Sequence, residues 1–163
     1  MTIIDSSSLI LLAKLNMLDK LIKKSKQKLV IPAKVYEECT AKKESFDAKI
    51  IEKRVEEKLI VKRVVSNRGL CNKIVNDFNL GRGEAEAVTL CIETESGIIT
   101  DDRKAINACR ILKIKFTTVP KILVQFYKRK LLSKSEVNLM IKQLQEFGRY
   151  SDEIINQVKE ELK

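Results

Sequence analysis

Short runs of apolar residues alternate along the chain with segments in which apolar positions recur every three or four residues. The runs predict buried strands, and the segments between them predict amphipathic helices. The predicted strands span residues 2–5, 28–31, 59–65, 97–101 and 115–119. Such alternation favours right-handed crossovers between parallel strands. We therefore expect a three-layer α/β/α fold with a central parallel sheet.

The segments between the strands each predict a helix. The first carries Leu9, Leu12 and Ile22 and follows the serines at 6–8, which are favourable N-caps. The other helices are predicted over residues 33–41, 46–58, 69–79, 84–95 and 103–113, with a turn at 81–83. The strand at 59–65 is basic, so we expect it at an edge of the sheet.

From Pro120 onward the pattern is almost wholly helical. Helices are predicted over residues 121–131, 133–147 and 151–162, and the last has an apolar stripe formed by Ile154, Ile155, Val158 and Leu162. We expect a domain over residues 1–130 and a helical extension over 131–163. The extension would pack on the domain or on a partner.

Composition restricts the chemistry available to this fold. Histidine is absent, which excludes Ser-His-Asp and Cys-His nucleophilic sites, paired-histidine ribonucleases and H-E-x-x-H zinc hydrolases. The 4 cysteines include no C-x-x-C pair, so they indicate small buried apolar residues in place of structural zinc or a disulfide framework. Chemistry based on carboxylates and metal ions remains.

The chain is strongly basic, with 32 Lys and Arg against 22 Asp and Glu and a formal net charge of +10. Such a surface attracts polyanions, of which nucleic acid is the main candidate. No apolar run approaches the roughly 20 residues of a membrane-spanning helix. The first residues also lack the basic start and cleavage site of a signal peptide. We expect a cytoplasmic protein that does not associate with membranes.

Carboxylates stand where strands end. Asp5 follows the first strand, Asp101 and Asp102 follow the strand at 97–101, and Glu84 opens a helix. Ligands of open α/β sheets bind beyond the carboxyl ends of the strands, so these acids can converge. Converging carboxylates without cationic partners repel, and a divalent cation relieves the repulsion. The pattern predicts a Mg²⁺ or Mn²⁺ site.

Helical phase separates the acids that point inward from those that face solvent. Glu84 heads an apolar stripe with Val88 and Cys91, whereas Glu86 shares a face with Glu93 and is expected to be solvated. In the helix at 33–41, Glu38 lies on an inward stripe with Val35, and Glu37 points elsewhere. Each acid also has a purely structural interpretation, because Asp5 and Asp102 are good helix caps and Glu84 suits a helix N-terminus.

Four segments resemble the PIN-domain nucleases in their order along the chain. They are Asp5-Ser6-Ser7, the segment at 32–38, the helix start at 83–87 and the strand end Thr100-Asp101-Asp102. The run at 81–88 followed by 101–105 resembles a prokaryotic branch related to the VapC-type toxins of toxin-antitoxin pairs. The resemblance covers about residues 1–130.

The resemblance implies roles for these residues. It makes Asp5, Glu38, Glu84 and Asp101 the catalytic acids, with Asp5, Glu84, Asp101 and Asp102 as metal ligands and Ser7 and Thr100 as supports. A T-x-D alignment selects Asp102 as the ligand, whereas a D-[DE]-R-K-A alignment selects Asp101. We favour Asp101 because it ends the strand and Asp102 is better placed to cap the next helix.

The implied activity is hydrolysis of RNA phosphodiester bonds with Mg²⁺ or Mn²⁺. The family also implies a homodimer blocked by a small antitoxin protein. An acidic centre repels phosphates, so a basic rim must hold the RNA, and Arg82, Arg103 and Lys104 are the nearest candidates.

Two other classes of α/β protein need residues that this sequence lacks at the required positions. A receiver domain needs an acidic pair at the first strand and a lysine after the last, where Pro120 stands. A haloacid-dehalogenase-type phosphatase needs D-x-D, and Ser7 occupies the position of the second aspartate. A catalytically silent module that binds RNA or an antitoxin stays open, as does a housekeeping RNA-processing nuclease.

Overall fold

The apolar runs form a single parallel sheet. The computed structural model describes residues 1–148 and 150–163. Its strands are β1 (Thr2–Ile4), β2 (Leu29–Pro32), β3 (Ile60–Arg63), β4 (Gly97–Ile99) and β5 (Phe116–Thr117). They form a 5-stranded sheet in the order β3-β2-β1-β4-β5, with every pair parallel. The basic strand β3 lies at an edge, as its sequence predicts.

Helices connect the strands and continue beyond the last one. Within the described residues they are α1 (Ser6–Lys14), α2 (Leu18–Lys24), α3 (Ala33–Thr40), α4 (Phe46–Glu56), α5 (Arg68–Phe78), α6 (Arg82–Thr94), α7 (Arg103–Ile111), α8 (Val119–Lys128), α9 (Lys134–Phe147) and α10 (Asp152–Glu161). Serine, threonine, aspartate or asparagine side chains cap several of them, as such residues commonly do.

Both faces of the sheet are covered by apolar side chains. On one face Ile3, Val30 and Ile98 belong to a buried cluster with residues of α5, α6 and α7. Successive side chains of a strand point to opposite faces, so Ile4 and Ile31 face the other way, and they are buried too. The three-layer α/β/α arrangement predicted from the sequence is confirmed.

The order of the strands places the acids. The chain moves outward from β1 to β2 and β3, then crosses to the other side of β1 to form β4 and β5. The direction of winding therefore reverses between β1 and β4. In open α/β sheets the crevice at such a reversal, beyond the carboxyl ends of the strands, is where ligands bind. Asp5 and Thr100-Asp101-Asp102 follow the two strands that flank it.

Most element boundaries differ from the sequence prediction by one to three residues, and two of the differences change the description of a segment. The single helix predicted through Ile22 is two helices, because Asn16 adopts a left-handed conformation with φ of 54° and α2 begins at Leu18. The predicted turn at 81–83 is instead the start of α6, which begins at Arg82 with Gly81 as its N-cap. Periodicity continues across the first boundary and gave no sign of the break.

Residues after β5 form a unit of their own. The chain divides into two compact units, Met1–Thr117 and Thr118–Lys163. In the second unit α10 packs against α8 and α9, and its stripe residues Ile155 and Val158 are buried. The predicted functional division after residue 130 stays a prediction. Nowhere in the described part of the chain is a helix both long and apolar enough to cross a membrane.

Candidate active site

Asp5 lies at the carboxyl end of β1 and caps α1. Its Oδ1 accepts hydrogen bonds from the Ser8 backbone amide at 2.8 Å and from the Ser7 hydroxyl at 3.3 Å. The residue is only 1% exposed, and its Oδ2 is buried without a hydrogen-bond partner. A buried carboxylate oxygen with no donor is costly, and such groups in proteins usually have a partner such as a bound ion or water.

The electrostatic surroundings of Asp5 oppose its ionisation. Burial raises its pKa, the Thr100 side chain and the Ser8 backbone amide lower it, and the neighbouring Asp101 raises it again. The net direction is upward. A nearby cation would reverse this balance, because it favours the charged form of a carboxyl group.

The strand end after β4 brings two further aspartates. Asp101 Oδ2 accepts a hydrogen bond from the Ser8 hydroxyl at 3.1 Å, which ties it to the first turn of α1. Asp102 Oδ1 caps α7 by accepting from the Ala105 amide at 2.8 Å, while its own amide donates to Thr100 Oγ1 at 3.2 Å. Asp102 thus makes the helix cap expected of it, and the choice of Asp101 as the main ligand stays a prediction.

Glu84 lies in the first turn of α6 and is partly buried. Burial raises its pKa, its own backbone amide lowers it, and the charges of Asp102, Asp5 and Glu38 raise it further. The net direction is again upward. Glu84 is therefore close enough to these three carboxylates for their charges to raise its pKa, although they come from three other parts of the chain.

Glu38 joins the same group from α3. It is exposed, so the prediction that it lies on an inward stripe is wrong. The Ser6 hydroxyl donates a hydrogen bond to Glu38 Oε2. A Cβ atom added to Gly83 would lie 2.9 Å from Glu38 Oε1, so the carboxylate packs directly on the first turn of α6. We call Asp5, Glu38, Glu84, Asp101 and Asp102 the acidic cluster.

Comparison with known proteins decides the family. A family model described as "DUF3368: PIN domain" matches residues 1–163. The chain belongs to the PIN-domain family. No curated protein sequence matches it. The crystal structure of PAE2754 from Pyrobaculum aerophilum is similar at 20% identity and a TM-score of 0.55, covering 78% of this chain and 96% of that one. This last likeness concerns the fold.

Family membership indicates the general class of activity. PIN domains are nuclease-type hydrolases that typically use divalent metals. The resemblance seen in the sequence is thereby confirmed at the level of the family. VapC-type specificity, an RNA substrate and the individual site residues of this PIN domain stay predictions.

The fit of the acidic cluster to a metal ion can be judged from its donors. No group of three His, Cys, Asp or Glu side chains in residues 1–148 and 150–163 is arranged to surround an ion. Instead, Glu38 and Asp101 each accept from a serine hydroxyl. The donor set nevertheless suits Mg²⁺ or Mn²⁺, because it consists of carboxylate oxygens and includes the unpartnered Asp5 Oδ2. Glutamate side chains can rotate toward an ion without backbone movement.

The predicted RNA-binding residues lie next to the acidic cluster in sequence and are exposed. Arg82 donates to Asn72 Oδ1 at 2.6 Å and forms an ion pair with Glu86, while Lys104 donates to the Asn79 carbonyl at 3.1 Å. Arg103 is exposed at the start of α7. These positions are compatible with a basic rim, and their role in binding RNA stays a prediction.

Sequence reasoning missed two residues around this PIN domain's acids. Ser8, which is fully buried, bonds both Asp5 and Asp101. Its place three residues after the helix cap was the available signal. Glu86 was predicted to be solvated, and this is wrong: its side chain is 16% exposed, pairs with Arg82 and accepts a hydrogen bond from the Lys34 amide. Helical phase alone cannot reveal a contact to another helix.

The cysteines behave as the sequence predicts. All 4 are buried and free of disulfides. Burial raises the pKa of Cys39, beside Glu38, to about 12, and the charges of Glu38 and Asp5 act in the same direction. The thiol therefore stays protonated near neutral pH and is unsuited to act as a nucleophile.

Proposed function

We propose that this PIN domain is a metal-dependent endoribonuclease and that the acidic cluster is its active site. The observation that carries the proposal is the state of Asp5. Its carboxylate is buried at the reversal of strand order, one oxygen has no hydrogen-bond partner, and the charge of a second carboxylate, Asp101, acts on it. A side chain needed only to cap α1 would not require this arrangement, because Ser or Thr could cap the helix without a buried charge.

Asp5, Glu84 and Asp101, with Asp102, are the residues we assign to metal binding. When bound, Mg²⁺ or Mn²⁺ supplies Lewis-acid activation of water and of the scissile phosphate. Ser7 and Ser8 hold Asp5, and the Ser8 hydroxyl also holds Asp101, so two ligands share one turn of helix as their support. Thr100 holds the Asp102 amide. Glu38 of α3, which packs on the first turn of α6, supplies a further catalytic acid.

RNA is the substrate that the charge of the chain favours. A net charge of +10 attracts polyanions, whereas the acidic cluster itself repels phosphate. Exposed Arg82, Arg103 and Lys104 at the cluster's rim would hold the RNA backbone while the metal ions neutralise the centre.

The toxin of a toxin-antitoxin pair is the biological role that we favour. It is supported by the resemblance of residues 81–88 and 101–105 to the VapC-related branch, and it implies a cytoplasmic homodimer blocked by a small antitoxin. A housekeeping RNA-processing nuclease is the alternative. Growth arrest on expression, relieved by the product of a short neighbouring gene, would favour the toxin, and normal growth would favour the alternative.

Removal of metal tests the proposed activity. Purified protein should cleave a single-stranded RNA when supplied with Mn²⁺ or Mg²⁺ and should lose that cleavage in excess EDTA, because carboxylates alone cannot stabilise the charge of the reacting phosphate. The measurement is gel analysis of an end-labelled RNA, with readdition of Mn²⁺ as the control. Equal cleavage in EDTA would contradict metal dependence. Metal-dependent RNA binding without cleavage would favour a catalytically silent module.

A further inference from the structure

Two contacts join α3 to α6. In the first, Glu86 Oε2 of α6 accepts a hydrogen bond from the Lys34 amide of α3 at 3.2 Å. In the second, the Glu38 carboxylate of α3 packs on Gly83 of α6. Lys34 and Glu38 are four residues apart, and Gly83 and Glu86 are three apart, so each pair shares one face of its helix. The two contacts therefore lie close together along the α3–α6 interface.

Helix α3 needs the contact that Glu86 provides. Its N-cap is Pro32, which has no side-chain acceptor, and its first turn contains no acidic residue. The first amides of a helix lack intrahelical partners and favour a nearby negative charge. Glu86 supplies both the acceptor and the charge from a neighbouring helix. Its other oxygen pairs with Arg82 at 3.5 Å, which restrains the side chain.

We infer that Glu86 is a positioning residue for the active site: it anchors the start of α3 on α6 and thereby holds Glu38 against the acidic cluster. The inference rests on the proposed function and extends it, because here Glu38 also contributes its carboxylate to the Mn²⁺ site. The contacts of Glu86 are with the Lys34 amide and with Arg82, and it is not one of the acids of the cluster. We expect its effect to pass through Glu38.

Glu93 provides a matched control on the same helix. It lies seven residues after Glu86 and also anchors the start of a helix, accepting hydrogen bonds from the backbone amides of Ser66 at 3.0 Å and Asn67 at 2.6 Å. That helix is α5, which carries no member of the acidic cluster. Loss of either glutamate removes the same type of contact, and only the loss of Glu86 should displace the Glu38 carboxylate.

The test is calorimetric titration of Mn²⁺ into the wild type and into Glu86→Ala, Glu86→Gln and Glu93→Ala, with melting temperatures measured in parallel. We expect Glu86→Ala to weaken Mn²⁺ binding about 10-fold, as loss of groups that orient metal ligands commonly does. Glu86→Gln keeps an acceptor for the Lys34 amide and should restore most of the affinity. Glu93→Ala should lower the melting temperature and leave Mn²⁺ binding unchanged.

A double variant tests whether Glu86 acts through Glu38. In Glu38→Gln the addition of Glu86→Ala should weaken Mn²⁺ binding no further. Wild-type affinity in Glu86→Ala, an equal loss in Glu93→Ala, or an undiminished loss in the Glu38→Gln background would overturn the inference while leaving the proposed function intact. A wild type that binds no Mn²⁺ would overturn both.

Discussion

Asp5→Asn should abolish nearly all Mn²⁺-dependent RNA cleavage while melting at the wild-type temperature or slightly above it. Asparagine can still cap α1 through the acceptor that meets the Ser8 amide, so the fold is preserved. The substitution removes the charge that the metal needs and also relieves a buried carboxylate surrounded by other carboxylates. We expect a loss on the order of 1000-fold in cleavage rate, which corresponds to about 4 kcal/mol.

The matched control for this variant is Asp77→Asn. It makes the same chemical change at an exposed carboxylate on α5 and should keep both the cleavage rate and the melting temperature. Cleavage time courses and thermal melts of the three proteins provide the comparison. An unfolded Asp5→Asn protein would show that the fold needs the Asp5 carboxylate. A folded variant that cleaves as fast as the wild type would show that catalysis does not need it.

Leu90→Ala should have the opposite effects. It should greatly lower the free energy of unfolding and leave the cleavage rate of the folded protein almost unchanged. Leu90 is 1% exposed in the apolar cluster that joins α6 to the sheet. Truncating such a leucine leaves a cavity and typically costs 2–5 kcal/mol, so we expect about 3 kcal/mol of unfolding free energy. For a chain of this size that lowers the melting temperature by roughly 10 °C.

Ile92→Ala is the comparison variant for Leu90→Ala. Ile92 lies on the same helix but is 38% exposed, so its truncation should cost less than about 1 kcal/mol. Denaturant titrations measure both variants, and cleavage assays well below the melting temperature should find Leu90→Ala active. Equal destabilisation by the two substitutions would contradict the packing of α6 described above.

Much of the fold could be predicted because each strand has a local signal in the sequence. Segments such as Leu29–Pro32 and Gly97–Ile99 are short, apolar and buried, and helical patterns separate them. Alternation of that kind leads to parallel strands and covered faces. The break at Asn16 escaped prediction because the apolar period continues across it, and only the backbone conformation of that residue divides the helix.

The site was predictable to the extent that its acids follow strands or begin helices. Asp5 and Asp101 follow the ends of β1 and β4, and the structure places them close enough for Asp101 to raise the pKa of Asp5. The contribution of Glu86 was not predictable, because its hydrogen bond to the Lys34 amide joins residues 52 positions apart. Local periodicity carries no information about such a pairing.

The most direct test of the account is the location of a divalent ion in crystals soaked with Mn²⁺. Anomalous difference density should appear beside the carboxylates of Asp5 and Asp101 in the wild type, and it should disappear in Asp5→Asn crystals treated in the same way. Manganese is suitable because it prefers the oxygen ligands that the acidic cluster offers. A wild-type map with ordered acids and no peak among them, or a peak that survives Asp5→Asn unchanged, would contradict the assignment of the acidic cluster as the metal centre.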